Sequence, residues 1–271
     1  MPHLLAASGE PAQEAEPALT LHAGMSSLDH LGFVEPQRVC SYLPTETASL
    51  EYRVYRQLTA VNYGRLLERG WRRHGRMLFR PQCPTCRQCR GLRVPVATFE
   101  PTKSQRRTLN KNPDVEVRLS PATVSPAHVE LYNAYHADMA ARRGWPGTPT
   151  TLDDYAESFL TGGYPFAFEL QYFRAGKLVG VGLVDILPQG LSSVYFYHAP
   201  EWRPQAPGVF SILCEFDLCR QQGIPYLYLG YWIEKCPSMA YKSGYGPHET
   251  LEEYIEEDEA PEWERPSGSP E

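Results

Sequence analysis

Apolar and polar residues change period several times along the chain, and each change marks an element. From Leu50, LEYRVYRQL alternates with the period of a strand. TAVNYGRLLERG then predicts a short helix, with Thr59 as N-cap and Gly70 closing it. WRRHGRMLFR reads as a second strand and LRVPVATF as a third, with the turn-rich CPTCRQC as a knuckle between them. SQRRTLNKN suits one or two helical turns whose basic residues project together.

The second half has a different texture, with Tyr and Gly where the first half has Arg. SPAHVELYNAYHADMAARRG predicts a helix with Ser125 as N-cap and Pro126 at its first position; Val129, Tyr132, Tyr135 and Met139 fall on one face. TTLDDYAESFLTGG predicts a second capped helix ending at Gly162 and Gly163. Three strand-like runs follow, PFAFELQYF, KLVGVGLVDIL and LSSVYFYH, separated by turns at Gly176 and Gly190. GVFSILCEFDLCRQQG is a helix and PYLYLGYWI a buried strand. Two helices, antiparallel strands, a helix and a last strand are the order of an N-acyltransferase of the acetyltransferase (GNAT) type. The expected fold class is therefore α+β, a small strand-rich N-terminal module followed by an acetyltransferase-like acyltransferase domain. The expected division is a disordered 1–24, a basic cysteine-containing domain over 25–118, the acyltransferase-like domain over 119–250, and an acidic disordered tail over 251–271.

Composition agrees with a folded chain: 42% of the 271 residues are hydrophobic and 21% charged. No run of about 18 apolar residues exists, which excludes a membrane-spanning helix of ordinary length. The first residues lack a basic segment and a sustained apolar run, so they do not read as a secretory signal. The expected compartment is the cytoplasm, where the seven cysteines stay reduced. The net charge of -6 conceals an asymmetry. Residues 249–271 carry ten Asp or Glu against Arg265 alone, whereas Arg53 to Arg118 contains sixteen Lys or Arg against four acidic residues. That basic stretch is either a solvated face or a polyanion-binding surface, and the dominance of Arg favours phosphate or carboxylate recognition.

Nucleotide signatures are negative. No P-loop pattern occurs, and GVGLVD lacks a third glycine and a following helix. Energy for any transfer should therefore arrive in an activated substrate. Gln205 to Phe210 partly matches the loop by which acetyltransferases hold the coenzyme A pyrophosphate, but Phe210 stands where a small residue is needed; a plain helix start is the competing reading. Cys83, Cys86 and Cys89 have spacings that can converge on one soft cation, with Cys40 as a fourth ligand. A zinc or iron–sulfur site, redox-sensitive thiols and buried small residues all remain open for them.

Beyond these patterns, CSYLP (Cys40 to Pro44), FRPQCPTCRQCRGLRVPV (Phe79 to Val96), SQRRTLNKN (Ser104 to Asn112), GVFSILCEFDLCRQQGIPYLYLGYWI (Gly208 to Ile233) and CPSMAYKSGYGPHE (Cys236 to Glu249) together resemble the aminoacyl-tRNA protein transferases. The likeness is greatest to the bacterial aspartate/glutamate leucyltransferases, relatives of the eukaryotic arginyltransferases. It spans about Met25 to Glu249. It implies transfer of leucine from leucyl-tRNA to the N-terminal Asp or Glu of acceptor proteins, marking them for degradation. Partners would be aminoacyl-tRNA and those acceptor proteins, with neither DNA nor a membrane, and no cofactor would be required for the chemistry. An arginyltransferase, a coenzyme A acetyltransferase and a noncatalytic tRNA-binding protein are the alternatives. Where relatives carry YKxRFRP-like residues, this chain has Gly244 and Gly246.

The reaction would be attack of an α-amine on the aminoacyl ester. Asp185, near the end of a central strand, is the expected base or amine-binding group. Tyr195 and Tyr197, on one face of the next strand, and Tyr231 are the expected donors to the leaving oxygen or the oxyanion. An acidic acceptor needs a cation in its pocket, and Arg80, Arg106, Arg107 and Lys242 are the candidates, each with a tRNA phosphate contact as the competing role.

Overall fold

Residues 30–265 are described by the structure, a computed structural model. The N-terminal part is a four-stranded antiparallel sheet of β1 (His30–Val34), β4 (Leu50–Tyr55), β6 (Met77–Pro81) and β5 (Arg72–His74), in that order. The hairpin of β2 (Arg38–Val39) and β3 (Thr47–Ala48) stands beside it in sequence. Helix α1 (Ala60–Glu68) begins where expected, because the Thr59 hydroxyl accepts from the Asn62 amide. WRRHGRMLFR is not one strand but the β5–β6 hairpin: Gly75, at φ 54°, turns the chain in its middle.

The larger sheet has eight strands. Their order is β14 (Trp263–Glu264), β13 (Glu249–Leu251), β7 (Arg90–Pro95), β12 (Tyr226–Trp232), β11 (Gly190–His198), β10 (Lys177–Leu187), β9 (Ala167–Arg174) and β8 (Val115–Pro121). All neighbours are antiparallel except β11 and β12, the pair joined through helix α5 (Pro207–Gln222). α5 covers one face together with α2 (Lys103–Asn110); α3 (Pro126–Arg143) and α4 (Leu152–Phe159) cover the other. The expected acyltransferase order, two helices, antiparallel strands, a helix and a last strand, is present, and the last strand pairs parallel with β11. Ser125 with Pro126 opens α3, Thr151 opens α4, and Gly144 and Gly223 end α3 and α5 in the left-handed region, whereas α4 stops at Phe159, short of the expected Gly162 and Gly163.

Two features depart from expectation. β7 and α2 lie within the segment assigned to the N-terminal domain, yet β7 pairs with β12 in the large sheet and α2 packs on α5. The division at residue 118 therefore does not coincide with a boundary between sheets. A continuous second core explains why the two parts stay together: Tyr55, Tyr63, Leu66, Leu67 and Trp71 pack with Phe166, Leu187 and Tyr228.

The second departure is the acidic tail, expected to be disordered from residue 251. Through Arg265 it is instead an ordered strap across the N-terminal sheet, because its carboxylates meet arginines that would otherwise be buried with too little opposite charge. Arg53 pairs with Glu256 at 3.0 Å and Glu257 at 3.2 Å, and Arg80 with Glu256 and with Glu51, the latter at 3.1 Å. Both guanidinium groups also lie against Trp71, 4.3 and 4.6 Å from its ring centre. Tyr254 donates to the Cys89 carbonyl and Trp263 to that of Glu68. Residues 1–29 and 266–271, which include the rest of both expected disordered ends, lie outside the described residues.

The strap should be acid-labile. Burial opposes the charge on Glu256, but hydrogen bonds from Arg53 and Arg80 outweigh it and hold the carboxyl below its usual range. Its folded value is thus below the unfolded one. Its contribution is complete above about pH 4.3 and fades as the pH falls through the lower folded value. Limited proteolysis followed by mass spectrometry should show cleavage between residues 252 and 262 rising as the pH drops below 4. The E256Q/E257Q variant should be cut there already at pH 7.

Candidate active site

β11 and β12 pair over only two positions, Leu191 with Leu227 and Ser192 with Tyr228, and then diverge. Two backbone irregularities accompany the divergence. On β12, Gly230 takes φ 81°, a conformation that side chains other than glycine rarely adopt, and the Arg72 guanidinium lies 3.4 Å from where its Cβ would be. On β11, the register with β10 shifts so that Leu183 opposes Tyr195 but Val184 opposes Ser193, leaving Val194 as a bulge. The bulge inverts the alternation of side chains. Tyr195 and Tyr197 face α3 and α4, as their spacing implied, whereas Ser193 is turned to the opposite face and meets α5.

Arg72 and Glu215 converge on Ser193. Arg72 donates Nη2 to the Ser193 carbonyl, and its Nη1 has no hydrogen-bond partner among the described residues. Glu215, on the sheet-facing side of α5 and 1% exposed, accepts from the Ser193 hydroxyl through Oε1 at 3.2 Å; its Oε2 likewise has no partner among the described residues. Burial pushes this carboxyl up to about 8, although Ser193 and Arg72 partly offset it. Lys242, from the segment after β12, donates Nζ to the Tyr231 carbonyl at 2.7 Å. Burial and the neighbouring Arg72 bring its ammonium down to about 7. The divergence therefore holds a cation, a near-neutral amine and a carboxyl poised near neutrality.

Of the residues expected from sequence, Lys242 sits beside this divergence, and so does Tyr231, whose carbonyl accepts from it. Asp185 is fully buried on β10 and held by both arms of Arg73, at 2.7 Å from Nη2 and 2.9 Å from Nε. An acid so paired is neither free to bind an amine nor to take its proton. The Tyr231 hydroxyl donates to the Gly70 carbonyl at 2.8 Å, and Tyr197 is bonded to Tyr155 at 2.8 Å; burial raises both hydroxyls far above their ordinary range. Tyr195, likewise raised by burial, lies 2.8 Å from the His136 ring nitrogen. Arg80 is under the strap. Arg106 and Arg107 are exposed on α2 with Lys103 and Lys111, which leaves a free basic face for phosphates. α2 reaches the divergence indirectly, as Gln105 donates to the Gly244 carbonyl at 3.2 Å.

The four expected cysteine ligands share one neighbourhood, since Cys40, Cys83 and Cys86 each add to the rise of Cys89, which burial first drives to about 12. Cys83 donates to the Ser49 carbonyl at 3.7 Å and Cys40 accepts from the Leu43 amide at 3.4 Å. Among the described residues no group of three is placed as a metal-ligand set, and the cysteines take no part in the transfer chemistry proposed below. Phe210 likewise packs into the core against Trp202 and Tyr172, where a coenzyme A loop requires a small residue. No helix of the described residues is long and apolar enough to cross a membrane.

A mixed sheet whose one parallel pair parts beside α5 has the α+β architecture of the acetyltransferase-like fold. The chain is matched by the family models for the arginine-tRNA-protein transferase C terminus over residues 127–252 and N terminus over residues 38–107. It is 36% identical over 236 residues to an aspartate/glutamate leucyltransferase of Helicobacter hepaticus, covering 87% of this chain and 98% of that one. To the enzyme of the same description from Campylobacter jejuni it is 34% identical over 221 residues, 82% and 92% of the two chains. The chain belongs to the arginine-tRNA-protein transferase family. Among solved structures, FemX overlays 62% of each chain at 9% identity with a TM-score of 0.47.

Proposed function

We propose that this chain transfers leucine from leucyl-tRNA to the N-terminal Asp or Glu of acceptor proteins in the cytoplasm, marking them for degradation. The observation that carries the reading is the 34–36% identity to relatives described as aspartate/glutamate leucyltransferases over nearly their whole length. The acceptor α-amine attacks the carbonyl carbon of the aminoacyl ester, and the ribose oxygen of the tRNA leaves as an alcohol. The ester is already activated, which agrees with the lack of a P-loop. Lys103, Arg106, Arg107 and Lys111 supply phosphate contacts, and Arg72 supplies the cation for the acceptor carboxylate.

The test is a transfer assay with purified protein, leucyl-tRNA or arginyl-tRNA, and peptides beginning with Asp, Glu or Ala. Leucine is expected on the Asp and Glu peptides only. Arginine on the same peptides would replace the donor assignment, an outcome that the family's description keeps in play. Transfer of neither would overturn the reading.

A further inference from the structure

We infer that Glu215 is the general base of the transfer, the carboxylate that takes the proton from the attacking α-amine where β11 and β12 part. The inference rests on the transferase reading and adds a residue that neither the family motifs nor the sequence spacing assigns.

The geometry begins with an oddity of α5. Its buried positions are otherwise apolar or small, Leu213, Phe216, Leu218 and Cys219 among them, and Glu215 stands in their midst. A carboxyl in such a position is costly unless its oxygens are satisfied. Only Oε1 is, by the Ser193 hydroxyl. Oε2 is left without a partner on the face of the sheet where the parallel strands separate, and Arg72 Nη1 and Trp232 Nε1 on the adjoining strands are unpartnered too. Leucine or glutamine would serve packing better. A fixed Oε1 with an unpartnered Oε2 suits a proton acceptor: Ser193 orients the group, and the buried second oxygen has no hydrogen bond among the described residues to give up before it meets an ammonium.

The charged and titratable groups around it suit the same task. Arg72 reaches it from β5, Tyr172 from β9, Tyr241 and Tyr245 from the segment after β12, and Cys214 and Cys219 belong to its own helix. Arg72 is the arginine among them, so an acceptor residue can bring its carboxylate to Arg72 and its ammonium to Glu215 at once. Glu215 near 8 matches an α-ammonium near 7.7–8.0, so the proton passes between them with little free-energy change. Tyr241 is 53% exposed and lies over this region with Lys242, so Pro237–Gly244 must yield for a peptide amine to arrive.

The steps balance. The ammonium gives one proton to the Glu215 carboxylate, and the neutral amine attacks the ester carbon to form a tetrahedral species. Glu215 returns that proton to the departing ribose oxygen as the carbon–oxygen bond breaks. It then accepts the second proton from the new amide nitrogen, and releases it to solvent before the next turnover. One ammonium and one ester become one amide, one alcohol and one proton.

Glu215→Gln tests this, because glutamine resembles the neutral acid that Glu215 is at pH 7 in the free protein. Single-turnover leucine transfer to an Asp peptide should fall about 10²–10³-fold at pH 7. The melting temperature, peptide KM and tRNA affinity should stay near wild type, and the defect should shrink toward pH 9.5, where the peptide amine is already neutral. Ser193→Ala, which removes a hydrogen bond that lowers the Glu215 pKa, should move the rising limb of the wild-type pH profile to higher pH. Wild-type rates in Glu215→Gln, or a loss equal at pH 7 and 9.5, would overturn the assignment. A wild-type protein that transfers no amino acid at all would instead overturn the reading it rests on.

Discussion

Asp185→Asn is expected to destabilise the protein by about 3–5 kcal/mol, the cost of leaving one member of a buried ion pair uncompensated. The carboxylate is wholly buried and meets Arg73 through both arms of the guanidinium, while Arg73 Nη1 also donates to the carbonyls of Gly75 at 2.9 Å and Phe159 at 3.3 Å. One arginine thus joins β10, the β5–β6 turn and the end of α4, across the seam between the two halves of the chain. Asn keeps the shape but leaves the guanidinium charge alone in the core. For a chain of this size the loss corresponds to a fall of about 6–20 °C in melting temperature. Differential scanning calorimetry beside a single-turnover assay separates the two roles. A positioning residue gives transfer that tracks the folded fraction, whereas a wild-type melting temperature with abolished transfer would return Asp185 to the chemistry.

Arg72→Gln should abolish discrimination between Asp and Ala acceptors. A charge-assisted bond to a carboxylate in a water-poor site contributes about 1.5–3 kcal/mol, so kcat/KM for Asp peptides should fall roughly 10–200-fold while that for Ala peptides changes little. Arg72→Lys keeps the charge but not the planar fork, and should recover only part of the preference. Arg72 is chosen over Arg80 because Arg80 already has Glu51 and Glu256, whereas Arg72 Nη1 has no partner. A tRNA phosphate contact at Arg72 would show a different pattern: equal losses for both peptides and a shallower dependence of tRNA affinity on salt. That result would move the acceptor pocket elsewhere.

How much of this could be read in the chain divides along a physical line. Helix limits were legible because a cap is closed within four residues: Thr59, Ser125 and Thr151 each accept from an amide three positions on, and Gly144 and Gly223 supply the left-handed turns. The alternation of β9, β10 and β11 and the apolar run of β12 were legible for the same reason, and with them the acyltransferase order. For Glu215 one signal was present, a lone acid within the apolar run FSILCEF, but nothing local says that its partner is a serine 22 positions earlier.

What the tertiary structure alone decided is which groups meet. The bulge at Val194 turns Ser193 from the tyrosine face to α5, a reversal that period-two reading cannot see. Asp185 looked available until Arg73, 112 positions away, occupied both its oxygens, and Arg80 until a strap 176 positions later covered it. By itself, then, the sequence determined the family, the elements and their order, since periodicity and capping are short-range. Only the tertiary structure decided which charges are committed to holding the fold and which, at Arg72 and Glu215, keep an unpartnered atom among the described residues. That outcome depends on strand neighbours, register and burial, which are properties of the assembled sheets.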